Sequence, residues 1–91
     1  MADKGRETSY AKELARGVVK FSGGGEGRVE RLKIKQQRDE IEIRFSWWQG
    51  RRMLPRPLDL SEESLLDLFA DGVANNVFTT AFREKLRDIL A

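Results

Sequence analysis

From Ile41 to Trp48 the chain reads IEIRFSWW, a strict alternation of apolar and polar positions that runs into Gln49-Gly50. Side chains of a strand point alternately to opposite faces. This run therefore predicts a strand with Ile41, Ile43, Phe45 and Trp47 turned to a core and Glu42, Arg44, Ser46 and Trp48 turned outward. A second strand is predicted from Arg28 to Lys35, joined to Glu40–Trp48 by the polar connection Gln36-Gln37-Arg38-Asp39, which has hairpin length. Placing Lys35 opposite Glu40 sets Leu32 against Ile43 and Ile34 against Ile41 on the core side. Lys33 then meets Glu42 on the other side, and a one-residue slip would turn the apolar set to water.

Upstream, Val18 to Phe21 is β-prone and runs into Ser22-Gly23-Gly24-Gly25-Glu26-Gly27. So many glycines cost too much backbone entropy inside an element, so this stretch predicts a loop between strands. Tyr10 and Leu14, four apart, predict a short helical turn over Tyr10 to Arg16. After Gly50 the chain returns as Arg51-Arg52-Met53-Leu54-Pro55-Arg56-Pro57-Leu58. Pro55 and Pro57 lack N–H groups on the same side of a strand and so mark a sheet edge, with Leu54 and Leu58 directed to the core.

Helices follow. Ser61 is placed as an N-cap ahead of Glu62 and Glu63, with Leu60 and Leu65 spaced as a hydrophobic staple. Leu65, Leu66, Phe69 and Val73 form an apolar stripe that stops at Asn75-Asn76. A second helix begins near Thr79 or Thr80, with Phe82, Leu86, Ile89 and Leu90 on its buried side. Residues 1–9 read as a flexible polar segment and residues 10–91 as one α+β domain. Its expected form is an antiparallel three- to four-stranded meander over 17–59, with two C-terminal amphipathic helices, 61–75 and 79–91, packed on one face.

Composition narrows the chemistry. A chain of 91 residues supports one modest core, and this one has neither cysteine nor histidine. Disulfides, thiolate metal sites, the commonest general base and Ser-His or Cys-His nucleophile pairs are thereby excluded. The expectation is a non-enzymatic protein without metal or cofactor. Glu62 and Glu63 resemble a catalytic or metal pair, but acids at a helix start are explained by the helix dipole. The glycine-rich loop leads into a strand and carries no Gly-Lys-Ser/Thr, which argues against a phosphate loop. No run resembles a signal peptide or a membrane span, so a cytoplasmic protein with no membrane contact is expected.

Net charge is +2 overall, but residues 1–60 carry 14 Lys and Arg against 9 Asp and Glu, and residues 61–91 carry 3 against 6. A basic first part favours polyanionic partners. Arg31, Lys33, Lys35, Arg44 and Trp48 fall together on the predicted outer sheet face, with Arg51, Arg52 and Arg56 at the hairpin and edge. Cations around an accessible aromatic are what single-stranded DNA or RNA binders use, since bases stack on rings while phosphates need only charge. Trp47, Trp48, Met53 and the two prolines equally fit a protein-interaction surface, or a homodimer whose open faces cover each other.

The run Ile41-Glu42-Ile43-Arg44, then Gly50, Pro55, Pro57, Leu58, Leu60, Ser61, Leu65 and Leu66, resembles the single-stranded-DNA-binding domain of the PC4-type transcriptional coactivators. The resemblance covers residues 28–70. It implies a dimer built through the helices that binds single strands across curved sheets, with Arg44 and Arg56 at basic positions of the family. Three features depart from it: Arg56-Pro57-Leu58 replaces the usual Lys-Gly-Ile, the first helix lacks an aromatic at the family's Trp position, and a second helix is added.

Overall fold

A computed structural model describes residues 7, 8, 10–35 and 40–91. The readings on the connection 36–39 and on most of the N-terminal segment 1–9 lie outside these residues. The chain forms β1 (Ala11–Lys20), β2 (Glu26–Ile34), β3 (Ile41–Gln49), β4 (Arg52–Met53), α1 (Glu62–Ala74) and α2 (Thr80–Leu90). The strands make one antiparallel meander in the order β1-β2-β3-β4, and the class is α+β as the pattern predicts.

The expected helical turn over Tyr10 to Arg16 is strand instead, and the sheet begins at Ala11 rather than near residue 17. The reason is a bulge. Glu13 pairs with Leu32 and Ala15 with Arg31, which leaves Leu14 as an extra residue. Such an insertion shifts which residues share a face and erases the two-residue period. The glycine-rich stretch forms the β1–β2 turn as expected, closed by Phe21 N–H to the Gly25 carbonyl at 3.1 Å, with Gly24 and Gly25 at φ +92 and +87.

The β2–β3 register differs by one residue from the expected one. Arg31 stands opposite Ile43, Leu32 opposite Glu42 and Lys33 opposite Ile41. Two apolar sets therefore end up on opposite faces. Val29 lies on the helix side opposite Phe45, within a core of Val29, Leu68, Val77 and Phe78. Leu32 and Ile34 join Ala11 in a separate cluster on the other face. The expected register assumed a single core, and a sheet with apolar residues on both faces removes that constraint.

Helix α1 sits on β1 and β2 at close range. A methyl group added at Gly17 would lie 2.5 Å from the Gly72 backbone nitrogen, so both glycines are needed for the approach. The Val18 N–H donates to Asp71 Oδ2 at 2.7 Å, tying strand to helix. Ser61 and Thr79 cap the two helices, accepting from the Ser64 and Phe82 N–H groups. Asn75 closes α1, and Asn76 takes the left-handed conformation at φ 63.

The predicted α1 stripe is displaced. Leu68 and Gly72 are buried, whereas Leu65 and Leu66 are exposed. Val77 and Phe78, in the α1–α2 connection, fill the core in their place. Phe78 stacks on Phe69 at 4.6 Å and on Phe82 at 5.3 Å. The expectation that both helices bury an apolar face fails for α2, which has no buried residue.

Candidate nucleic-acid interface

Trp48 is the first correction. It is 1% exposed, not an open platform. Its indole N–H donates to Ser46 Oγ at 2.8 Å, Ser46 donates to Glu30 Oε1 at 3.0 Å, and the Arg28 guanidinium covers the ring at 4.0 Å. Arg44 Nε completes this chain with a 2.9 Å bond to Glu30 Oε1. A buried indole needs a partner for its N–H, and the outward side of β3 supplies one two residues away.

Glu30 is fully buried, and its Oε2 has no hydrogen-bond partner. Burial, followed by the neighbouring Glu13 carboxyl, pushes its pKa up against the pull of Arg44. Glu26 goes the other way. Burial raises its pKa, but the hydrogen bonds and charges of Lys20 and Arg28 outweigh that and hold it below the usual carboxylate value. The basic residues of this face are thus largely committed to its acids. Arg16 holds Glu13 through both oxygens, and Lys20 and Arg28 share Glu26.

The other predicted residues divide. Arg31, on the helix side because of the register, donates to the Val77 carbonyl at 3.3 Å. Lys33 lies on that side as well, opposite Ile41 rather than Glu42. Lys35 pairs with Glu7 at 2.7 Å, not with Glu40, and draws the Glu7 pKa down. The expected constellation of Arg31, Lys33, Lys35, Arg44 and Trp48 on one open face is therefore not assembled.

A different group comes together at the hairpin end. Trp47 is half-buried on the helix side, opposite Gly27. The bare Gly27 leaves room for Leu58 and Phe21, whose side chains would meet a methyl placed there at 3.2 and 3.3 Å. Phe21 meets the Trp47 ring edge-on, with centroids 5.8 Å apart. Past β4, Leu54 N–H bonds the Trp47 carbonyl at 2.7 Å, and the chain turns through Pro55. This sets the exposed Arg56 guanidinium over the Trp47 ring at 4.3 Å.

Arg52, paired with Gln49, projects on the same side as Trp47, and Arg51 is exposed in the turn. Among the described residues none of Arg51, Arg52 and Arg56 has a carboxylate partner. Of the eight predicted residues, Arg56 lies on an aromatic, with Arg52 on the same side and Arg51 in the turn, and that aromatic is Trp47. Sequence reasoning assigned Trp47 to the core because it lies on the apolar parity of β3. Its place at the strand end, beyond the reach of the helices, was the signal that could have separated it from Ile41 and Ile43.

The same face of β3 carries Ile41, Ile43 and Phe45, expected in the core but 38%, 39% and 48% exposed. Helix α1 covers β1 and β2 and stops short of β3, so Ile41 and Ile43 border an open groove of about 270 Å³ with Arg31, Phe78 and Phe82. Among the described residues no group of acids could hold a metal ion, and no helix is long and apolar enough to cross a membrane. Comparisons with protein-family models, with curated proteins and with solved structures find no match to this chain.

Proposed function

We propose that the protein is a non-enzymatic binding protein that takes single-stranded nucleic acid at the hairpin end of its sheet. One observation carries this reading. Among the described residues Arg51, Arg52 and Arg56 have no acidic partner, and Arg56 lies over the partly buried Trp47 ring. The Arg56 guanidinium offers a planar cation against which a base stacks, backed by the indole, while Arg51 and Arg52 meet phosphates. Arg44 and Trp48 serve the interior of the sheet rather than the ligand. The PC4-type resemblance agrees in kind, though Arg56 is the basic position of it that stays at the surface here.

A titration of tryptophan fluorescence with short single-stranded DNA, single-stranded RNA and duplex DNA, each at several salt concentrations, tests the proposal. Quenching that favours single strands and weakens steeply with salt supports it. No response to any of the three at low salt overturns it. That result would favour a protein partner at the hairpin end, where Met53 is 42% exposed on the opposite face and Pro55 and Pro57 are exposed.

A further inference from the structure

The free border of the sheet lies along β3. Strand β4 covers only Trp47 to Gln49 of it, through the pairs Trp48–Met53 and Gln49–Arg52 and the Leu54 N–H bond to the Trp47 carbonyl. Backbone groups of an antiparallel strand point alternately to its two sides. The Glu40 carbonyl accepts from Ile34 of β2, whereas the Trp47 carbonyl faces away from β2 toward Leu54. Even-numbered residues of β3 therefore bond to β2. The N–H and C=O groups of Ile41, Ile43 and Phe45 point to the open border, where no strand among the described residues meets them. With these side chains 38%, 39% and 48% exposed, this is the kind of edge that takes up another strand.

The residues of this stretch select the strand that fits it. Read antiparallel against itself about Ile43, it sets Ile41 opposite Phe45 and Glu42 opposite Arg44, with Ile43 meeting its own copy. Apolar meets apolar and acid meets base. A shift by two residues sets Glu42 against Glu42 or Arg44 against Arg44, and a shift by one sets apolar residues against charged ones. Glu42 is exposed and has no ion-pair partner among the described residues. Arg44 gives its Nε to Glu30, which leaves its terminal nitrogens for a second carboxylate. Length agrees as well. The open stretch runs from Glu40, which still bonds β2, to Ser46, just before Leu54 meets Trp47, and Ile43 is its midpoint.

We infer that the open border of β3 takes β3 of a second copy, so that two sheets continue into one another edge to edge about a two-fold axis at Ile43. The same patch is used on both copies, which closes the pair and leaves neither β3 edge free for further growth. About six backbone hydrogen bonds form across the axis, from Ile41, Ile43 and Phe45 of each copy. The exposed apolar side chains of both copies then line up as one strip on the helix side. Neither helix takes part, so this assembly differs from the helix-built dimer that the PC4-type resemblance implies. It is also independent of whether the hairpin end binds nucleic acid.

Sedimentation of the full chain over a range of concentrations, with circular dichroism to confirm folding and amide hydrogen exchange to locate the contact, tests the inference. The native chain is expected at twice its 10.5 kDa mass, with exchange at Ile41, Ile43 and Phe45 slowing as concentration rises. Ile43→Lys, which brings like charges face to face at the axis, is expected to leave a folded monomer. Glu42→Lys, at an exposed position, is expected to weaken pairing by tenfold or more, and Leu66→Glu on α1 to leave it unchanged. A native chain that stays monomeric at its highest soluble concentration overturns the inference. So does a dimer that Leu66→Glu abolishes, or one that Ile43→Lys and Glu42→Lys both leave intact, because that dimer would be built elsewhere.

Discussion

Trp47 and Trp48 are neighbours with opposite roles, and what separates them is the company each keeps. Trp48 gives its N–H to Ser46 and lies under Arg28, so its removal takes away a buried ring and deprives the buried Ser46 hydroxyl of its donor. Trp48→Ala is expected to lower stability by about 3 to 5 kcal/mol, read from urea denaturation. Trp47→Ala should cost much less stability and instead weaken single-strand binding by about 1 to 3 kcal/mol, as measured by anisotropy titration. Retained affinity in the folded Trp47→Ala protein would remove the aromatic from the proposed site.

Glu30 makes stability depend on pH in an unusual direction. Its pKa in the folded chain lies above the ordinary glutamate value, so over that interval the native state holds a proton that the unfolded chain has lost. The stability tied to Glu30 is complete below the ordinary value and is lost as pH rises through the raised one. Glu26, held low by Lys20 and Arg28, contributes stability above the ordinary value that disappears as pH falls through its own pKa. Melting temperature measured against pH should therefore decline less on the alkaline side in Glu30→Gln than in the native chain. An identical decline in both would place the titration in another group.

Among the elements, the contact of β1 with α1 tolerates least. A side chain at Gly17 meets backbone atoms of Gly72, which cannot rotate away, so Gly17→Ala should cost about 1 to 3 kcal/mol through forced separation of strand and helix. Thermal melts of that variant with unchanged midpoints would show that the two elements have slack. The two helices and the Ser61 cap were legible in the sequence, because a cap brings local hydrogen bonds that no distant partner alters. The strand β1 was not legible, because the bulge at Leu14 breaks the alternation that identifies a strand. Register and burial were not legible either. They depend on how far α1 reaches across the sheet, a property of the assembled layers that no window of residues contains.

On the scale of the whole molecule, local charge counts proved a poor guide to available charge. Residues 1–60 looked basic, yet Arg28, Arg44 and Lys35 are neutralised by Glu26 and Glu30 of β2 and by Glu7 ahead of β1. Among the described residues Arg51, Arg52 and Arg56, at one end of the sheet, keep no carboxylate partner. Replacing all three with Gln should flatten the dependence of single-strand affinity on salt, since each lost phosphate contact removes about 0.7 units from the slope for a single strand. A slope that stays the same would show that phosphates are met by other cations.

The bond from Val18 to Asp71 has a consequence beyond fastening a helix. With the order β1-β2-β3-β4, β1 is an outer strand, and its outward amide is where a stray chain would begin to add itself to the sheet. Asp71 occupies that amide from within the molecule, which takes one donor of this border out of reach. Asp71→Ala would reopen it. The expected result is a protein that folds but turns thioflavin-positive on standing, at concentrations where the native chain stays clear.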